Sequence, residues 1–361
     1  MDLAPQPSPD VAENARLADL TTLRVGGPAA RLVTVTTTDD LVDAVREVDD
    51  ADEPLLVLAG GSNVLVSDEG FAGTVVRVAT TGVHVESSDT CSGMSVRVAA
   101  GEPWDEVVVQ AVDEGWVGIE ALSGVPGSTG ATPVQNVGAY GQEVAQTISS
   151  VRTWDRREER VRTFAVGECG FGYRTSMFKH DHRYVVLDVT FQLPFGDRST
   201  PLGYADLARA LDAQLGDRVP LADARRAVLA QRRSRGMVLD AEDHDTWSAG
   251  SFFTNPVLST AAFARLSARA GLAGVGDPPS YPAENGVKTS AAWLIERAGF
   301  GKGYGLPGPA ALSAKHVLAL TNRGTATAAD LLVLARAVRD GVQRTFGVRL
   351  EPEPRLVALS L

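Results

Sequence analysis

Between Leu122 and Val144 the chain reads LSGVPGSTGATPVQNVGAYGQEV, with glycine at 124, 127, 130, 138 and 141, two prolines and a single charge. So little side chain cannot fill a core. Glycine tolerates positive φ and close backbone approach, so a loop of this kind can bring main-chain N–H groups onto a phosphate or a planar ring. Gln135, Asn136 and Tyr140 are residue types that hydrogen-bond a heteroaromatic edge. The plainer reading is a surface loop whose glycines only make turns. A second stretch points the same way. An apolar strand, Leu55 to Leu58, runs into Gly60, Gly61, Ser62 and Asn63 and then into another apolar run. A strand-to-glycine turn can offer backbone N–H groups and a Ser hydroxyl to a pyrophosphate. It is not a Rossmann turn, because GxGxxG is absent from it and no helix follows, and no Walker sequence GxxxxGK[ST] occurs in the chain.

The elements that must position these turns can be read from periodicity. RLVTV alternates as a strand, and Asp39 to Val48 reads as an amphipathic helix opened by paired aspartates. Strands dominate from about residue 68 to 195, interrupted by a helix that starts at Pro103 and stops at Gly115. TPLGYADLARALDAQLG and PLADARRAVLAQRRSR read as helices, as do STAAFARLSARAG and TSAAWLIERAGF; HVLALTN and the closing VRLEPEPRLVAL read as strands. Positions 331, 335, 338, 342 and 346 form a helical apolar stripe that is core packing. Periodicity alone therefore gives an α+β protein without repeats.

A chain of 361 residues exceeds what one core supports, so two or three domains are expected. The net charge of −11 argues against non-specific nucleic-acid binding, and any anionic ligand must be met by locally placed cations. Cys91 and Cys169 stand far apart without CxxC or His-rich context, and the five histidines show no metal spacing, so neither a disulfide framework nor a metal site is expected. Residues 1–16 are polar, and no segment offers about 18 uncharged apolar residues. A reduced, cytoplasmic protein with a frayed leader and no membrane partner fits this composition.

LAGGSNVLV, VPGSTGATPVQNVGAYG, FGYRTSMFK, GYADL, SAGSFFTNP and LEPEPR occur in an order and spacing that resembles the UDP-N-acetylenolpyruvoylglucosamine reductase family, from about Thr21 to Leu356. GYADL resembles the type I subgroup, in which a Tyr-bearing loop closes over the substrate. The resemblance implies an FAD-binding fold of the vanillyl-alcohol-oxidase (PCMH) type in two subdomains, followed by an α+β substrate domain. Its boundaries are expected at 1–16 (leader), 17–67 completed by 355–361, 68–236, and 237–354. It implies non-covalent FAD, NADPH as co-substrate, a UDP-sugar enolpyruvyl ether as substrate, a place in peptidoglycan precursor synthesis, and a monomer.

Carried over by position, Gly60, Gly61, Ser62 and Asn63 resemble the loop around the FAD pyrophosphate. Pro126, Gly127, Gln135, Asn136 and Gly138 resemble the flavin-side loop. Arg174, Ser251 and Glu353 match the family's catalytic positions; Tyr140, Tyr204, Asn255 and Lys288 match positions that hold substrate, and Arg235 stands where the family commonly has Lys. Glu353 competes with Glu351 and is preferred on the family's register. Pro354, beside it, requires a position where no ladder N–H is needed. Two rivals are weighed. An oxidase on the same fold often attaches flavin through His or Cys, which both flavin loops lack; a catalytically dead binding module would have lost Arg174, Ser251 or Glu353, and all three are present.

Overall fold

The computed structural model describes residues 9–89 and 93–361, which fall into two compact units. The first takes the described residues up to Ala15, Ala29–Gly61 and Phe71–Arg233; the second takes Arg16–Pro28, Ser62–Gly70 and Ser234–Leu361. In chain order the elements up to residue 234 are β1 (Asp10–Arg16), β2 (Pro28–Val35), α1 (Thr38–Asp50), β3 (Leu55–Leu58), β4 (Val64–Val66), β5 (Phe71–Val78), β6 (Val83–Asp89), β7 (Gly93–Ala99), α2 (Trp104–Asp113), β8 (Gly138–Ala139), β9 (Gln142–Glu143), β10 (Ile148–Asp155), β11 (Arg160–Ala165), α3 (Met177–His180), β12 (Tyr184–Leu193), α4 (Ala205–Ala210) and α5 (Leu221–Ser234). They continue with β13 (Val257–Leu258), α6 (Thr260–Ala273), β14 (Tyr281–Ala283), β15 (Gly286–Lys288), α7 (Ala291–Arg297), β16 (Ala310–Leu312), β17 (Leu320–Asn322), α8 (Ala328–Phe346) and β18 (Arg355–Val357).

In the first unit, one sheet has the order β1-β2-β5-β3, with β2 and β3 both parallel to β5. Parallel pairing needs a crossover, and α1 supplies it. Its Thr37 hydroxyl accepts from the Asp40 N–H at 3.1 Å, and Leu41, Ala44, Val45 and Val48 face inward. The second sheet is antiparallel in the order β11-β10-β12-β7-β6, and α2 buries Trp104, Val107, Val108 and Ala111 in the same core. Between α2 and the glycine-rich loop, Trp116 and Ile119 are buried in the same core, so the loop starts from a packed base.

The second unit gathers α6, α7 and α8 around Leu266, Leu294, Ile295, Leu331, Val338 and Val342. α8 is capped at both ends: Thr327 and Asp330 form a capping box, and Gly347 ends it at φ 71. The stripe at 331, 335, 338, 342 and 346 is buried, as periodicity predicts. The chain's end returns to this unit, where β18 pairs in parallel with β4.

Some expectations change. Residues 1–8 of the expected leader lie outside the described residues, as does Cys91, but Asp10–Arg16 is an exposed edge strand rather than frayed chain. TPLGYADLARALDAQLG is helical only over Ala205–Ala210, because Asp212 turns to φ 50. In HVLALTN only Leu320–Asn322 is strand. No helix among the described residues is long and apolar enough to cross a membrane.

Candidate active site

The two glycine turns touch. A Cβ on Gly60 would lie 2.7 Å from the Gly127 Cα, a distance no side chain tolerates, and Gly127 itself has φ 114. This is a cradle made of backbone alone, and it fits the pyrophosphate and ring of FAD, for which N–H groups rather than side chains supply the contact. The loop's apolar residues, Leu122, Val125, Val134, Val137 and Val144, pack into or against the first unit's core, and a carboxylate adds a polar tie. Asp105 accepts from the Gly124 N–H at 2.6 Å and from Arg225 at 2.7 and 2.9 Å. Burial alone would raise the Asp105 pKa, but the Arg225 bonds and the Gly124 N–H hold it below the usual carboxylate range.

Asn136 corrects one expectation. Its side chain is 1% exposed and turned inward: Nδ2 donates to Glu143 at 2.8 Å and to the Gly172 carbonyl at 3.1 Å, while Oδ1 accepts from the Ala145 N–H. The amide braces the loop in a left-handed turn, φ 48, instead of reading a heteroaromatic edge. Gln135 and Pro126 lie on the more open stretch of the same loop.

Arg174 sits at φ 54 in the tight turn Gly172–Thr175, whose ends exchange two backbone bonds. Its Nη2 donates to the Gly138 carbonyl at 2.7 Å, and the Lys179 ammonium donates to its own carbonyl at 2.8 Å. Gly138 is needed for this approach, since a Cβ there would come 3.2 Å from Arg174 Nη1. Tyr140, at φ 49, meets Tyr204 edge to face with ring centroids 5.5 Å apart. Asn136, Gly138 and Arg174 thus meet at one end of the loop, Tyr140 carries the chain from there to Tyr204, and Gly60 meets the same loop at Gly127.

In the second unit, residues 252–254 pair with 351–353. Glu353 N–H donates to the Phe252 carbonyl at 2.8 Å and Thr254 N–H to the Glu351 carbonyl at 3.1 Å. Ser251 and Glu353 therefore lie on adjacent extended segments. Asn63 joins them: its Nδ2 donates to the Glu353 carbonyl and its own carbonyl accepts from Arg355 N–H at 3.0 Å. Pro354 falls where the chain changes partner from 252–254 to β4, so its missing N–H costs no ladder bond. Glu351 is exposed and pairs with Arg349 at the surface, which favours Glu353 as the acid of interest. Asn255 and Lys288 are neighbours through β13 and β15, but the Asn255 Oδ1 accepts from Ala291 N–H at 2.9 Å and so caps α7.

Sequence reasoning missed two groups near Arg235. Burial pushes the half-buried His316 imidazole down to about 4, with the charges of Arg235 and Lys302 adding to the shift. The contacts agree: a Cβ on Gly236 would lie 2.8 Å from the Asp245 carbonyl, and the Asp245 carboxylate accepts from Ala314 N–H, two residues from His316. Gly303 N–H, next to Lys302, bonds the Leu312 carbonyl at 3.2 Å. Phe252 N–H bonds the Leu318 carbonyl at 2.7 Å, which brings the same segment alongside Ser251. Arg235 and Lys302 are thus the cations that act on the neutral imidazole, with Asp245 close by on the adjoining segment. The lone residues Lys302 and His316 carry no motif that spacing could have flagged.

Two families match this chain. Residues 29–163 match the FAD binding domain, and residues 242–357 match the C-terminal domain of UDP-N-acetylenolpyruvoylglucosamine reductase. The UDP-N-acetylenolpyruvoylglucosamine reductase of Thermobifida fusca is 57% identical over 354 residues, 97% of this chain and 99% of that one. The protein of the same name from Salinispora arenicola is 56% identical across the full length of both chains. Among solved structures, the reductase of Thermus caldophilus superposes with a TM-score of 0.64 at 27% identity, covering 97% of this chain and 99% of that one.

Proposed function

This chain belongs to the UDP-N-acetylenolpyruvoylglucosamine reductase family, and from that premise we propose that it uses NADPH to reduce UDP-N-acetyl-3-O-(1-carboxyvinyl)-glucosamine to UDP-N-acetylmuramate. An FAD-dependent oxidoreductase of peptidoglycan precursor synthesis is what the family sets; the electron donor and the residue roles go further. The net change is a two-electron reduction of the enolpyruvyl double bond: a hydride joins the terminal carbon, a proton joins the adjacent carbon, and NADPH becomes NADP⁺. NADPH as reductant suits a cytoplasmic reaction. The arrangement that supports this most is the pairing of 252–254 with 351–353, which brings the chain segments that carry Ser251 and Glu353 alongside each other.

Gly60, Gly61, Ser62, Asn63, Pro126, Gly127, Gln135 and Gly138, with the backbone of Asn136, would hold FAD, which supplies hydride transfer when bound. Arg174 would orient the substrate carboxylate through its planar fork and spread the negative charge that builds toward it. Ser251 would deliver the proton to carbon. A hydroxyl is a weak acid, so Lys288 and Arg235 would favour the alkoxide left behind. Glu353 would assist as a protonated hydrogen-bond donor. Tyr140, Tyr204, Asn255 and Lys288 would hold the nucleotide sugar, and Arg235 with Lys302 and His316 would meet its diphosphate.

Rapid-mixing kinetics on Ser251→Ala test this. Reduction of the bound flavin by NADPH should stay within about twofold, while its reoxidation by the enolpyruvyl substrate should fall by about 100-fold or more, the scale of a lost general acid. An equal fall in both half-reactions would remove Ser251 as proton donor.

A further inference from the structure

Glu120 is 1% exposed, and it accepts four hydrogen bonds, none from a charged group: Gly118 N–H at 2.7 Å, Gln142 Nε2 at 2.8 Å, Thr200 N–H at 2.7 Å and Thr200 Oγ1 at 2.9 Å. Gln142 completes a triangle, because its Nε2 also donates to Thr200 Oγ1 at 2.7 Å while its Oε1 accepts from Ala121 N–H at 2.7 Å. Both hydrogens of the Gln142 amide and the Thr200 hydroxyl hydrogen are thereby used. A buried carboxylate is costly unless donors surround it, and this one is surrounded by groups from three distant parts of the chain.

What the triangle joins gives it a role. Gln142 lies two residues past Tyr140, in β9, which pairs with β8 at Ala139. Thr200 lies four residues before Tyr204. The backbones above the triangle nearly touch: a Cβ on Gly141 would sit 3.4 Å from the Gly203 Cα. Below it, Ala121, Leu202, Leu207 and Val228 form a small separate core against which Tyr140 packs. That core is slight, and the segment around Tyr204 is largely exposed. Apolar burial alone gives this segment little to fix it.

We propose that the Glu120–Gln142–Thr200 triangle is a latch that fastens the Tyr204 segment to the Tyr140 turn, making Glu120 a positioning residue for binding of the nucleotide-sugar substrate through Tyr204. This rests on the substrate role proposed for Tyr204 above. Glu120→Gln keeps the shape but removes the charge that all four donors share, and it sets an amide donor against Gly118 N–H on one side or against Thr200 N–H and Gln142 Nε2 on the other. Tyr204 then loses its registration against Tyr140, while the glycine cradle at Gly60 and Gly127 is untouched.

The test is a double-mutant cycle of Glu120→Gln and Tyr204→Ala, read as the Kd of UDP by calorimetry and the KM of the enolpyruvyl substrate in the FAD-loaded protein. Glu120→Gln alone should raise both by about 10- to 100-fold, the scale of lost hydrogen bonds to a charged group. The rate of flavin reduction by NADPH should hold within about twofold. In the Tyr204→Ala background the same substitution should add less than about twofold. Equal losses in both backgrounds would overturn the latch, as would a parallel fall in flavin reduction. Should Glu120→Gln fail to fold, Thr200→Val takes its place: it removes the Gln142–Thr200 side and one of the two Thr200–Glu120 bonds, leaving the Thr200 N–H on Glu120, so a smaller rise is expected under the same criterion. An unaltered protein that bound no UDP would sink the substrate reading and the latch together. UDP binding with additive losses would sink the latch alone.

Discussion

His316 shows how much a single residue can record about its surroundings. An unfolded chain's imidazole takes up a proton near its ordinary value of 6.5, whereas burial, with Arg235 and Lys302 alongside, holds the folded group neutral down to about 4. Asp243, Asp245 and Lys315 stand on the neighbouring segments, but they are committed to each other and to Arg323. Between those two pH values the unfolded state binds more protons, so folding stability falls as pH is lowered from about 6.5 to about 4 and is fully present above that window. The His316 share is at most about 3 kcal/mol at its acid end. Urea midpoints at pH 7 and pH 4.5 should therefore draw closer together in His316→Gln than in the unaltered protein. An unchanged gap would mean that the imidazole is solvated after all. A dianionic ligand beside the ring would oppose the shift, so the same substitution should also flatten any gain in UDP affinity on acidification.

At the scale of elements, glycine positions decide more than helix or strand propensity. Gly341 lies inside α8, where alanine would ordinarily gain about 1 kcal/mol. A Cβ there would come 2.2 Å from the Phe300 ring, and overpacking costs about 1–3 kcal/mol. The second effect is the larger. Gly341→Ala should lower the denaturation midpoint, and a Gly341→Ala/Phe300→Leu double variant should recover part of the loss; a stabilised single variant would show that the ring moves aside freely. The glycine cradle follows the same reasoning with a different readout. Gly60→Ala forces apart two backbones now in contact, so FAD affinity, followed by flavin fluorescence, should weaken about tenfold or more. Unchanged affinity would mean that FAD does not depend on the closeness of the two turns.

These elements also mark the limits of reading the chain unaided. α8 was legible because its apolar stripe, its Thr327 cap and its terminal Gly347 agree with one another. The glycine turns were legible as places of close backbone approach, and Gly60 and Gly127 do leave no room for a Cβ between them. Asn136 was misjudged because an amide that braces a loop and one that reads a ligand look alike until its three partners are known. No motif marks Glu120 in the sequence; its burial depends on Gln142 and Thr200, 22 and 80 residues away. Lys302 and His316 likewise approach Arg235 only through long-range contacts.

For the whole molecule, each unit is sewn together from three separated stretches of chain, and the last of these ends in β18, which completes a pair with β4 nearly three hundred residues earlier. Cohesion of that kind exists only in the folded state, and so does the domain that matches an FAD binding domain over residues 29–163, since it too draws on several elements. Nothing in the chain gives flavin a covalent hold at the two loops. Residues 60–63 and 122–144 contain neither His nor Cys, and burial, with Glu168 nearby, pushes the Cys169 thiol up to about 11, far from a reactive thiolate. Retention of FAD must then be linked to folding by mass action. Free FAD at 100 times its Kd should stabilise the protein by about 2.7 kcal/mol, seen as a concentration-dependent rise in Tm. Acid precipitation should leave all of the yellow flavin in the supernatant. Flavin that stayed with the precipitate would require a covalent bond and would overturn the non-covalent reading, even if the thermal shift were present.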